Sequence, residues 1–377
     1  MSNWFSPSDI KHKTQFVLKD IHGYVLPHAG TKHTSEILSH TLRFCPKKKF
    51  TKVIILYYPV KREHDIMIKG KKKGKNIIHK YHHEYYVVWK TLQHVLKDFW
   101  KIVRDVTFIG FNVRAMSHID QLRDLHLDIE DTLYVISADF SHFLPLQEAI
   151  SLENCAAHSI IHRHFHPSCT RVIDIEDSFK ALLHIIPDNW SFRWIGRTRS
   201  SGNRGVGYLS FLLVEEFNPE SDVLPDGMFI TVYSGDMVSR ECLGQWYNKR
   251  TRWSIAHESE FLKEVIDKGN RSSRLTNGRN KSPISHYMIT YLYKDNSSKF
   301  IRGWHGIKKK AFYLPDVFLE HTFNNGHWIT DKDDEWPQHY KFYMHETLDK
   351  LHIKSGRGNG KYKQYELYVS HIKTGRV

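Results

Sequence analysis

Only four cysteines stand in this chain of 377 residues, and no two of them sit at CxxC spacing. Cys45, Cys155, Cys169 and Cys242 therefore read as individual reduced thiols, not as a disulfide framework or a structural zinc set. Also missing is any apolar run near the roughly 20 residues that a membrane-spanning helix needs, so no membrane partner is expected. The opening residues, "MSNWFSPSDIKHK", have no basic segment leading into an apolar stretch, which points to an intracellular, cytoplasmic protein. Acidic residues are the scarce charge: 41 Asp and Glu against 55 Lys and Arg leave a formal charge of +14. Such an excess attracts phosphate-bearing partners but does not name one. It is also uneven. The stretch "KREHDIMIKGKKKGKNIIHK", residues 61 to 80, holds eight Lys or Arg and two acids, which is +6 of the +14, on what reads as one solvated loop.

What is present is ordinary globular material, 40% hydrophobic and 25% charged, in a chain longer than one core usually serves. The runs "TKVIILYYP", "VTFIGFNV", "TLYVISADF" and "GYLSFLLVEEF" are nearly continuous in apolarity, as strands covered on both faces are. Helical patterns, "HEYYVVWKTLQHVLKDFW" and "LQEAISLENCAAHSIIHRHF", lie between them. That alternation predicts a layered α/β domain over residues 1–217, and the family resemblance given below implies its form, a three-layer α/β/α sandwich around a mostly parallel sheet. "NPESDVLPDG" then reads as a linker, and residues 218–377 as a smaller α+β domain with strands at "GMFITVYSG" and "SHYMITYLYK" and a helix at "ESEFLKEVIDKG". "SGRGNGKYK", residues 355 to 363, reads as a flexible loop without P-loop spacing.

Two strand ends present histidine. Tyr24 to Leu26 stops at Pro27 and delivers His28, and Leu133 to Ile136 leads to Asp139 and His142 at the next bend. If these strands are parallel neighbours, the three residues converge on one crevice, at the sheet edge where α/β folds bind ligands. Imidazole plus carboxylate is the ligand set that suits non-haem iron. Plainer readings stand beside this one: Asp139 as a cap and His142 as a hydrogen-bonded edge histidine, in a chain with 27 histidines. At the start of a long amphipathic helix, "HKYHHEYY" offers His79, His82, His83 and Glu84, most of which a solvated face would explain.

"VLPHAG", "HHEYYVVWKTL", "VISADFSHF" and "RSSGNRGVGYLSFLLV", in this order, resemble the MEMO family over roughly residues 20 to 215. The resemblance implies a fold like that of the class III extradiol dioxygenases and a divalent-metal site, Fe(II) first and copper as the alternative. Residue by residue it implies His28, His82 and His142 as metal ligands, with His83 as runner-up to His82, and Asp139 and His142 as catalytic groups. The family's ligand cysteine has no counterpart in "RTRSSGNRG", where Ser200 or Ser201 takes the neighbourhood. A hydroxyl is a much poorer ligand than a thiolate for a soft metal.

The second half resembles the AMMECR1 family through "SRECLGQW" and "IRGWHGIKKKAFYLPDVF", over about residues 224 to 372. Arg240, Cys242 and Gly244 match that pattern, and Glu241 replaces a glycine. Arg240 would favour a thiolate at Cys242, a third candidate catalytic residue, with His305 as a possible acid-base partner. An inert buried cysteine is the alternative. Because the two families occur beside a radical-SAM protein, a partner of that kind is implied. Two functions follow: a metal-dependent, dioxygenase-like oxidoreductase acting on a small-molecule or protein substrate, or a binding module. In the second, the crevice and Lys71, Lys72, Lys73 and Lys75 capture a phosphorylated peptide, nucleic acid or other anionic ligand.

Overall fold

Continuous apolar runs become strands with no solvated face. The computed structural model describes residues 5–10, 16–18, 21–57, 66–69, 83–100, 106–112, 119–123, 129–200, 204–216, 219, 224–247, 252–272, 275, 283–294, 302–305, 312–313, 320 and 366–377. The chain divides between Glu215 and Glu216 into two compact units.

In the first unit the strands are β1 (Phe16–Leu18), β2 (Ile21–Leu26), β3 (Phe44–Pro46), β4 (Lys52–Tyr57), β5 (Ile66–Lys69), β6 (Thr107–Asn112), β7 (Thr132–Ser137), β8 (Trp190–Arg199) and β9 (Gly207–Glu215). The helices are α1 (Thr31–Leu42), α2 (His83–His94), α3 (Ile119–Arg123), α4 (Leu146–Ile161), α5 (Pro167–Thr170) and α6 (Glu176–Leu183). Seven strands form one sheet in the order β5-β6-β4-β7-β2-β9-β8. β6, β4, β7 and β2 pair in parallel, and β5 and β9 run against them. β8 reverses again, so five of the seven strands point the same way. Every residue of β2 and β7 is buried, as sequences without alternation require. α1 buries Thr31, Thr34, Ile37, Leu38, Thr41 and Leu42, one stripe at helical spacing.

β8 was not expected as a strand. Its sequence, "WSFRWIGRTR", interrupts the apolar run with three arginines, yet nearly all of it is buried. A second departure concerns cysteine. Cys155 and Cys169, expected as separate reduced thiols, are joined in a disulfide with Cα atoms 5.0 Å apart. The chain turns back after α4 and sets α5 alongside it, a proximity that no local spacing announces. Cys45 and Cys242 remain thiols.

The second unit holds β10 (Gly227–Ser234), β11 (Arg240–Trp246), α7 (Ile255–Arg271), β12 (Ile284–Lys294), β13 (Arg302–His305), β14 (Phe312–Tyr313) and β15 (Glu366–Arg376). Its sheet runs β11-β10-β12-β15-β13-β14 and is antiparallel throughout. Met228, Ile230 and Val232 alternate along β10 and pack with Ile289 and Tyr291 against Phe261 and Val265 of α7. The Ser254 side chain caps α7, its Oγ accepting from the His257 amide at 3.1 Å. Inside, the Glu258 carboxylate accepts from Trp253 Nε1 at 3.0 Å and from the Tyr291 hydroxyl at 2.8 Å, so this buried acid is satisfied. Among the described residues of both units, no helix is long and apolar enough to cross a membrane.

Candidate functional site

β2 and β7 are parallel neighbours in register, Leu26 opposite Ser137, so their carboxyl ends open at the same edge. The chain leaves β2 through Pro27 to His28 and leaves β7 through Ala138 to Asp139. The Ala138 amide donates to the Leu26 carbonyl at 3.0 Å, which holds the two exits together. The His28 amide donates to Asp139 Oδ1 at 3.0 Å. Both residues are buried, 4% and 5% exposed.

The His28 ring is oriented from behind. Its Nδ1 lies 3.1 Å from Ser137 Oγ, and that hydroxyl donates to the Glu84 carbonyl at 2.6 Å. Because the Ser137 proton is committed to Glu84, its oxygen accepts, and the imidazole proton belongs on Nδ1. Nε2 then carries the lone pair. It faces Asp139 Oδ2 at 3.6 Å and Asp174 Oδ2 at 3.7 Å. Three electron-rich atoms thus converge in a largely dry place, an arrangement that calls for shared protons or a cation between them.

The acid-base balance follows from burial. Desolvation pushes Asp139 up to about 7, against the pull of the His28 amide and the charge of His142. It pushes Asp174 to about 7 as well, opposed by His28 and reinforced by Asp139. Glu84, at the start of α2, is raised to about 7 by burial first and by Asp174 and Asp139 after it. The same burial lowers His28, with Asp174 opposing and His142 reinforcing the shift. Burial thus favours the uncharged form of each of these four groups.

His142 follows on the loop after β7. It is exposed, and its backbone bridges to Val206, so it belongs to the mouth of the crevice and not to its floor. Its charge still acts on both His28 and Asp139. Ser200 is occupied by local structure, since its Oγ accepts from the Val206 amide at 2.7 Å and closes the turn before β9. His82, Ser201 and the basic stretch, apart from the backbone of β5, lie outside the described residues. Of His83, only the backbone at the start of α2 is described.

Asp174 was not singled out in the sequence. It stands in "RVIDIEDSF", without an apolar run leading to a strand end, and only the fold behind α5 returns it to His28. Among the described residues no group of three or more His, Cys, Asp or Glu side chains is arranged to hold a metal ion.

In the second unit Cys242 lies on β11, half-buried, and its thiol is 3.9 Å from the Leu243 carbonyl oxygen. Arg240 shares its face of the strand, but its guanidinium pairs through both Nη atoms with the Glu320 carboxylate. The cation expected to favour a Cys242 thiolate is therefore balanced by an acid. His305 is on β13, and three strands separate it from β11. At about 4.8 Å per strand the two backbones are roughly 19 Å apart, too far for direct proton exchange. Glu241 turns to the opposite face, where it accepts from Ser272 Oγ at 2.7 Å beyond the end of α7.

No protein-family model matches the chain, and no curated protein matches it.

Proposed function

We propose that the crevice at the ends of β2 and β7 is a divalent-metal site, with Fe(II) as its ion, serving redox chemistry on a small-molecule or protein-borne substrate. The observation that carries this reading is His28 Nε2 flanked by two carboxylate oxygens at 3.6 Å and 3.7 Å with its other nitrogen held by Ser137. An imidazole oriented through its far nitrogen is how proteins present a histidine to a metal. One imidazole nitrogen and carboxylate oxygens are donor types that suit Fe(II) or Mn(II). Imidazole and carboxylate are harder ligands than thiolate, which disfavours copper(I).

Bound there, Fe(II) would supply one-electron chemistry and Lewis acidity. The chain's own residues do the rest. His28 offers Nε2, Ser137 and the Glu84 carbonyl fix its ring, and Asp139 and Asp174 supply negative charge. Glu84, buried beside them, holds or releases a proton as that charge changes. His142, at the mouth, is placed to exchange a proton with an incoming group. The resemblance to the MEMO and AMMECR1 families, with its three-layer sandwich over residues 1–217 and a second domain over 218–377, supports the same reading.

Elemental analysis of protein purified without oxygen tests it. About one iron per chain is expected, with less than a tenth of that in His28→Ala. No stoichiometric metal in the wild type, or equal metal in the variant, would defeat the proposal.

A further inference from the structure

The disulfide between α4 and α5 has no part in the chemistry described above, yet it lies in the chain just ahead of a residue that does. Cys155 belongs to α4 and Cys169 to α5. Cys169 is followed by Thr170, Arg171, Val172, Ile173 and then Asp174, whose Oδ2 lies 3.7 Å from His28 Nε2. Asp174 itself stands in no helix or strand, between α5 and α6. Its place beside His28 is therefore set by what anchors the segment around it.

The noncovalent anchors around Cys169 are modest. α5 is a single turn, Pro167–Thr170, too short to hold its shape alone. The chain leaves α4 through Arg163, whose φ of 53° lies in the left-handed region that residues with side chains disfavour. Arg171 pairs with Glu148 of α4 at 3.1 Å, but the two side chains are 58% and 46% exposed, and such a pair contributes little. Val172 and Ile173 are buried, which presses the segment onto the core without fixing its position along α4, because apolar burial is non-directional. The Cys155–Cys169 bond supplies the fixed point, tying the turn before Asp174 to a helix of 16 residues. Both cysteines are buried, 6% and 0% exposed, so an external thiol reaches the bond when α5 opens locally. Pro167 and Ser168, which begin α5, are exposed, and the opening starts there.

We propose that this disulfide is a redox switch on Asp174: a dithiol reductant opens it, residues 162–175 loosen, and the Asp174 carboxylate leaves His28. A thiolate of the reductant attacks one sulfur, and the reductant's second thiol resolves the mixed disulfide. Two electrons and two protons pass to Cys155 and Cys169, which become thiols, while the reductant closes to its own disulfide. The switch gives the site of the proposed function a regulator, and it rests on that reading only where metal affinity is the readout.

The test uses the full chain, either kept from reductants or reduced with dithiothreitol and desalted under argon. Alkylation in denaturant followed by mass spectrometry should find two modified thiols in the oxidised chain, Cys45 and Cys242, and all four cysteines modified in the reduced one. Amide hydrogen exchange over residues 162–175 is expected to quicken about tenfold on reduction, with β4 and β7 unchanged. Co(II) affinity is expected to fall about tenfold on reduction in the wild type and by less than about twofold in Asp174→Asn, because the switch acts through that carboxylate. A variant combining Cys155→Ala and Cys169→Ala should match the reduced chain with or without dithiothreitol. Four modified thiols in the chain kept from reductants, exchange over 162–175 that does not change, or exchange that quickens equally in β4 and β7 would overturn the proposal. So would a Co(II) affinity indifferent to reduction, or one that falls equally in the wild type and Asp174→Asn. If Co(II) binds in neither state, the proposed function fails and hydrogen exchange alone decides: quickening confined to 162–175 keeps the switch, and its absence ends it.

Discussion

His22 lies in β2, 6% exposed, with its ring stacked on Trp190 at 3.6 Å between centroids. Neither ring nitrogen has a hydrogen-bond partner among the described residues, and burial lowers its pKa to about 4, with Glu130 opposing and Lys48 reinforcing. His28, six residues on, has the same ring but is oriented by Ser137 and faces acids, which is why one imidazole reads as packing and the other as function. The lowered value has a stability consequence. Between pH 6.5 and 4 the unfolded chain takes up a proton at His22 that the folded chain refuses, so stability is lost as the pH falls through that window. Relative to His22→Phe, the wild type should lose on the order of 3 kcal/mol from about pH 7 to about pH 4. Urea titrations at the two pH values measure this, and a difference independent of pH would contradict it. At this scale the sequence was partly legible. His28 and Asp139 announced themselves at the ends of apolar runs, whereas Asp174 and the orienting role of Ser137 depend on which segments the fold brings home.

Glu153, Arg197 and Arg199 show what a pattern of elements conceals. β8 reads poorly as a strand because its arginines break the apolar run, yet the Arg197, Arg199 and Glu153 side chains are each only 2% exposed. The charges are tolerated because α4 lays a carboxylate against two guanidinium groups, while the Asn154 side chain and the Ile150 and Leu144 carbonyls accept from them as well. That neutralisation is a tertiary fact, invisible along either segment alone, whereas β4, β7 and β9 needed only their own side chains to be recognised. Removing the acid leaves two buried cations. Glu153→Ala should therefore cost about 3–5 kcal/mol, and a triple variant that also replaces both arginines with methionine should recover most of it. Chemical denaturation checks both. A single-variant loss under about 1 kcal/mol would mean the guanidinium groups reach water.

The molecule as a whole is basic, and residues 61 to 80 carry +6 of its +14. Any affinity of this protein for duplex DNA should fall steeply with salt. Replacing Lys71, Lys72, Lys73 and Lys75 with Gln should make the logarithmic salt dependence shallower by about 0.9 for each phosphate that is no longer neutralised. Binding isotherms at several salt concentrations give the slope, and an unchanged slope would mean that other cations meet the phosphates. The His28 site belongs to the first unit and Cys242 to the second. The most direct test of the metal proposal is a titration of metal-free protein with Co(II), followed by visible absorption and calorimetry. One site per chain is predicted, weakened at least tenfold in each of His28→Ala, Asp139→Asn and Asp174→Asn. No site, or a site that all three variants keep, would contradict it.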